Sequence, residues 1–183
     1  MAQVMGVLQD GKVDGMNNID IANGIVFQKL AISKDCFDDR LICQKKMYLL
    51  QSLGTNLGYT YNWYVRGPYS PALTSYLYSN LDVLASNDFS DCKLAETAEK
   101  NIQCVNRLEK GKRSGFTTAS WYELLASLLY IHNNRESWKI GQEERSLFLT
   151  LMKYKPQYNE EQCQYAFETL SKEGFLKTEL RHG

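Results

Sequence analysis

Histidine is nearly absent. Only His132 and His182 occur in 183 residues, and His182 is the last residue but one. A Ser–His or Cys–His catalytic pair therefore has little raw material. The five cysteines (Cys36, Cys43, Cys92, Cys104 and Cys163) are odd in number and widely spaced, with no C-x-x-C. That pattern excludes a disulfide framework and a structural zinc site, and it predicts free thiols in a reducing compartment. No metal or cofactor is expected. Neither sign of charge is in excess, since 21 Lys plus Arg match 21 Asp plus Glu. Dedicated DNA-binding domains usually carry a basic surplus, because neutralising phosphates supplies much of their affinity. Nucleic acid is thus disfavoured as a partner, and the balance gives no support for an anionic membrane surface. No apolar run approaches the roughly 18 residues of a spanning helix. Met1 to Asn18 lacks a charged n-region followed by an apolar h-region. The expectation is a cytoplasmic protein with no membrane partner. The phosphate loop G-x-x-x-x-G-K-[ST], the dinucleotide fingerprint G-x-G-x-x-G and the G-x-S-x-G elbow are all missing, so no catalytic residue is nominated.

What is present reads as an ordinary globular chain, with 44% hydrophobic and 23% charged residues. Residues 1–17, with Gly6, Asp10, Gly11, Asp14 and Gly15, read as a loose tail. Residues 18–183 read as one helical domain. Within it, 18–31 fits helix or strand. From Phe37 the apolar residues Leu41, Met47, Tyr48, Leu49 and Leu50 take helical spacing, and Asp38 and Asp39 suit a helix start. The period then changes to two. Tyr59, Tyr61, Trp63 and Val65 alternate with Thr60, Asn62, Tyr64 and Arg66, which predicts a strand near 59–66 with the Tyr59/Trp63 face inward. Its expected partner is a second strand near 25–30. Gly67-Pro68 is read as the strand stop, Ser70 as a helix N-cap and Pro71 as the first helical residue. Further helices are predicted from Leu73 to Leu84, from Lys93 to Lys110, from a capping box at Ser120-x-x-Glu123, from Glu143 to Tyr154, and from a second box at Asn159-x-x-Gln162. Gly174 should close the last one, with Phe175-Leu176 folding back. The sum is a mainly α, compact helical domain with a small β element. The order helix, strand, turn, helix also permits a winged-helix-like arrangement.

The carboxylate pairs Asp38-Asp39, Glu143-Glu144 and Glu160-Glu161 all fall near predicted helix starts, where the macrodipole explains them without catalysis. Lys110, Lys112 and Arg113 form a charged loop that could touch a phosphate backbone. Aromatic residues crowd the stretch from Tyr48 to Tyr78, and tyrosine suits both core edges and interfaces. Gly67, Pro68, Ser70 and Pro71 are explained by turn and cap chemistry. Tyr64, Arg66 and Tyr69 are not, and an arginine beside a turn and several aromatics has the composition of a binding hot spot. These three are the expected partner surface.

Gln44-Lys45-Lys46-Met47-Tyr48-Leu49-Leu50-Gln51, followed by Tyr59-Thr60-Tyr61-Asn62-Trp63-Tyr64-Val65-Arg66-Gly67-Pro68-Tyr69-Ser70-Pro71, is similar to the YwgA-like proteins of bacteria. More distantly it resembles the Panacea, or SocA-like, antitoxin domain, in which a QKLLY helix precedes a strand ending in W-x-x-GP. Glu123 to Tyr130 and the segment from Pro156 to Leu176 fit the YwgA-like pattern too, so the resemblance spans roughly residues 37–176. It differs from the Panacea pattern in having Tyr69-Ser70 after Pro68, where a small apolar residue is usual, and in a longer C-terminal half. The Panacea resemblance implies a regulatory protein, antitoxin or adaptor, that binds a toxin directly and blocks it without catalysis. The expected function is accordingly a non-enzymatic protein-binding module in a toxin–antitoxin or phage-defence setting. The alternatives are a winged-helix-like nucleic-acid-binding regulator and an enzyme of unknown reaction.

Overall fold

Local capping sets most helix starts. In the computed structural model, which describes residues 15–176 and the backbone of Leu8–Gln9, the Asn17 side chain accepts from the amides of Ile19 and Asp20 and opens α1 (Asn18–Lys29). Cys36 and Asp39 form a reciprocal box that opens α2 (Phe37–Ser52). Ser70 caps α3 (Pro71–Ser86), with Pro71 in the first turn, as the sequence predicts. The Asn159/Gln162 box opens α7 (Glu160–Lys172). At its far end Gly174 takes φ +79°. The Phe175 amide then bonds back to Leu170 O at 2.9 Å, burying the Phe175 ring. Between these lie α4 (Glu96–Lys110), α5 (Thr118–Asn133) and α6 (Glu144–Tyr154). The chain is mainly helical, with two small antiparallel strand pairs among the described residues.

Several boundaries differ from the sequence expectation. Residues 25–30 are not a strand. Ile21, Ala22, Ile25 and Val26 form the buried face of α1, and Gly24 leaves room for the Phe89 ring, whose Cζ would lie 2.4 Å from an added Cβ. The helix expected from Lys93 starts at Glu96, because Cys92–Lys93 is a strand paired with Leu8–Gln9. Leu8–Gln9 lies within residues 1–17, which the sequence reads as a loose tail, and is a strand instead; the rest of residues 1–14 falls outside the described residues, as does His182. The Ser120-x-x-Glu123 box does not form. Thr117 takes the cap instead, its hydroxyl accepting from Ser120 N at 3.1 Å, so α5 starts earlier and Glu123 faces inward.

The strand expected over 59–66 shrinks to Asn62–Tyr64, and Gly67-Pro68 does not stop it. These residues begin the returning strand Gly67–Tyr69, which pairs Tyr64 with Gly67 and Trp63 with Pro68. Tyr59 stays out of the hairpin because the Gln51 amide serves as its strand partner, donating to Tyr59 O at 2.8 Å and accepting from Tyr59 N at 3.1 Å. Val65, expected inward by alternation, sits at the tip and is 89% exposed. Gly67 follows the turn at φ +85°, a backbone conformation costly for any residue with a Cβ.

The core gathers around α5, which is apolar nearly all round. Trp121, Tyr122, Leu124, Leu125, Ala126, Leu128, Leu129 and Ile131 are all buried. It packs against α2, α4, α6, α7 and the returning strand of the hairpin, so the hairpin rests on the centre of the domain. The fit there is close: a Cβ on Gly67 would stand 2.3 Å from Ser127 Oγ, and that buried hydroxyl has no hydrogen-bond partner among the described residues. Gly67→Ala is expected to destabilise the fold by about 2–4 kcal/mol through backbone strain and overlap. Ser127→Ala alone should be neutral or stabilising, since it removes an unsatisfied polar group, and should restore part of the loss in the double variant. Urea unfolding of the four proteins checks this; a double variant no more stable than Gly67→Ala would refute the packing explanation.

Candidate functional site

Three consecutive polar residues of α2 are buried: Gln44, Lys45 and Lys46. Successive helical positions point about 100° apart, so the three reach different neighbours, and each satisfies backbone groups there. The Gln44 amide donates to Ser70 O at 3.0 Å and accepts from Ser70 N at 2.9 Å. Lys45 Nζ donates to Pro68 O at 2.6 Å. Lys46 Nζ donates to Leu30 O at 2.9 Å, just past α1, with Glu109 at 3.7 Å and the Tyr122 ring 5.3 Å away.

The other side of the hairpin is held from α5 and from the residue that follows α6. Glu123 is buried, and its two oxygens take one cation each. Lys155 Nζ lies 2.5 Å from Oε1 and Arg66 Nε lies 2.7 Å from Oε2. Lys155 also donates to Val65 O at 3.0 Å and lies 5.6 Å from the Trp63 ring centre. The hairpin is therefore gripped at Val65, Arg66, Pro68 and Ser70. Burial lowers the Lys155 ammonium, and the ion pair with Glu123 opposes that. Lys45 is pulled down to about 7, first by burial; Glu123 resists the shift, while Lys155 and Arg66 add to it.

Tyr64, Arg66 and Tyr69, the expected partner surface, come together around one pocket of about 320 Å³ between the hairpin, the start of α2, and α3. The Tyr64 and Tyr69 rings meet edge to face at 5.1 Å. Tyr69 is fixed by a relay in which Gln44 donates to the Thr74 hydroxyl and Thr74 donates to Tyr69 OH at 2.8 Å. Arg66 lies 5.9 Å from the Phe37 ring centre. The pocket wall is largely apolar, with Leu41, Leu77 and Tyr78 contributing. The other aromatics of the crowded stretch divide away from it. Trp63 packs internally on Tyr130, Trp138 and Tyr154, Tyr48 on Tyr61, and Tyr59 bonds to Asn23.

The basic loop lies elsewhere. Lys112 donates to Phe116 O at 3.2 Å, Arg113 lies 3.5 Å from the centre of the Tyr165 ring, and Lys110 lines a separate groove with Arg107 and Glu173. Among the described residues, no group of three or more His, Cys, Asp or Glu side chains is placed to hold a metal ion. No helix there is long and apolar enough to cross a membrane.

Sequence reasoning missed Phe37, Arg40, Lys45, Tyr78, Glu123 and Lys155. Two of them carried a signal. Glu123 is a lone carboxylate in an otherwise apolar helix, and Lys45-Lys46 stands directly against Met47-Tyr48-Leu49-Leu50. Comparison of the chain with protein-family models, curated proteins and solved structures finds no match.

Lys45 makes a pH dependence measurable. In the unfolded chain its amine keeps a proton up to about 10.5, while in the fold it loses it near 7. Between those values the unfolded state binds more protons, so folding gains stability as pH rises. Below about 7 both states are protonated and the burial penalty is constant. The stability of the wild type relative to Lys45→Met should therefore be flat below about 7 and climb above it. A difference independent of pH would refute the assignment.

Proposed function

We propose that this chain is a non-enzymatic regulatory module that binds another protein through the hairpin tip and the pocket beside it. One observation carries the reading. Of the eight large apolar side chains exposed among the described residues, four (Phe37, Tyr64, Val65 and Tyr78, at 59%, 47%, 89% and 54%) line this single pocket. Exposed apolar groups scattered singly need no explanation, but a cluster around a concavity marks an interaction site. Aromatics with an arginine among them form the composition of an interface centre. The resemblance to Panacea domains favours, as the finer reading, an antitoxin-like role with a toxin or another regulated protein as partner in the cytoplasm.

The alternatives draw less from the geometry. A nucleic-acid interface would draw on Lys110, Lys112 and Arg113, and of these Lys112 and Arg113 already make contacts within the fold. An enzyme would draw on Tyr64, Arg66, Tyr69 and a carboxylate, and the carboxylate beside Arg66, Glu123, is already paired with Arg66 and Lys155 in holding the hairpin.

Val65→Asp tests the proposal with little risk to folding, because exposed substitutions of this kind cost within about 0.5 kcal/mol. A tagged wild-type chain recovered from its native cells should retain one protein well above background. Val65→Asp and Tyr64→Ala should lose it. Equal retention by all three chains, or none by the wild type, would overturn the reading.

A further inference from the structure

We propose that the occupant of the pocket is an acidic segment of the partner protein, with an aliphatic or aromatic side chain filling the cavity and a neighbouring carboxylate held by Arg66 and Arg40. This rests on the protein-binding reading and adds the chemistry of the partner.

The first support is charge. The pocket is lined by Arg40, Lys45 and Arg66 and by no Asp or Glu. Beneath it, Lys155 and Arg66 share the single carboxylate of Glu123. Desolvated charge is stable only when paired, and the one carboxylate at this site is already taken by two cations. The acidic residues nearest in sequence do not redress this: Asp39 is committed to the box that opens α2, and neither it nor Asp38 lines the pocket. An arriving carboxylate would.

The second support is the donor geometry of Arg66. Its Nε is bound to Glu123. Its guanidinium makes no other hydrogen bond among the described residues, and the side chain is 48% exposed. A guanidinium carries five N–H donors in a planar fork, so the terminal edge can take a second carboxylate while the inner edge keeps the first. Arg40 adds a nearby cation, tethered by its bond to Lys34 O at 2.8 Å.

The third support is the shape of the rim. A small amphipathic anion could fill about 320 Å³, but Phe37, Val65 and Tyr78 would stay largely in water. A polypeptide that enters with one side chain and runs on across the rim covers them. Zero net charge argues against a polyphosphate backbone as the occupant.

The test selects random dodecapeptides displayed on phage against the full chain, then measures the enriched sequences as labelled synthetic peptides by fluorescence anisotropy. The expected peptides carry Asp or Glu beside Leu, Phe or Trp. Replacing that acid with its amide should weaken binding about tenfold or more. Arg66→Gln should cause a similar loss with the acidic peptide and little further loss with the amide. The peptide exchange leaves the protein unaltered, so it decides the matter even if Arg66→Gln fails to fold. Enriched peptides with no acidic preference, or acid and amide forms that bind equally, would overturn the acidic occupant and leave the protein-binding reading standing. Enrichment of nothing, or of peptides indifferent to Val65→Asp, would take down both. A dimer in sedimentation that Val65→Asp dissociates would give this face to a second copy and overturn the proposal.

Discussion

A carboxylate removed from water must be met by cations, and Glu123 is met by two that come from distant parts of the chain. Lys155 follows α6; Arg66 lies in the hairpin turn. Breaking a buried pair by removing one partner typically costs about 3–5 kcal/mol, because the other charge is left uncompensated. The placement of Arg66, of the Val65 carbonyl and so of the turn itself depends on that carboxylate. Without it, the Lys155 ammonium would sit in a dry site with no carboxylate to balance it.

The hairpin is too short to stand by itself, since isolated two-stranded ribbons are marginal in water. It persists because side chains replace the missing sheet neighbours. Lys45 takes the Pro68 carbonyl and Gln44 takes both backbone groups of Ser70. Gly67 lets the strand lie against Ser127 on α5. These contacts fix the backbone and leave Tyr64, Val65 and the outer edge of Arg66 pointing away from the core. Rigid presentation of exposed apolar groups lowers the ordering cost of binding, which suits a recognition element.

Helix starts at Asn159 and Ser70 were legible in the sequence because caps act over three residues, and the start at Phe37 because apolar spacing and the Asp38-Asp39 pair mark it. The mainly helical fold followed from periodicity. The hairpin's extent was not legible. Alternation over 59–66 resembles a long strand, but a side-chain amide, Gln51, competes for Tyr59 and the turn comes early at Val65-Arg66. Tyr64, Arg66 and Tyr69 emerged because turn and cap chemistry left them unexplained, and they do meet around one pocket. Their supports stayed hidden because Lys45 and Pro68 are 23 residues apart, Glu123 and Lys155 are 32 apart, and Val65 and Lys155 are 90 apart. Nothing local marks such pairs except their oddity, a charge in an apolar run.

The dependence of the hairpin on the buried carboxylate is open to direct measurement by hydrogen exchange in Glu123→Gln. If Glu123 holds the turn, amides of residues 62–70 should exchange markedly faster than in the wild type, while those of α7, which ends in its own cap, keep most of their protection. Unchanged exchange across the hairpin in a folded Glu123→Gln protein would contradict the central role given to this ion cluster.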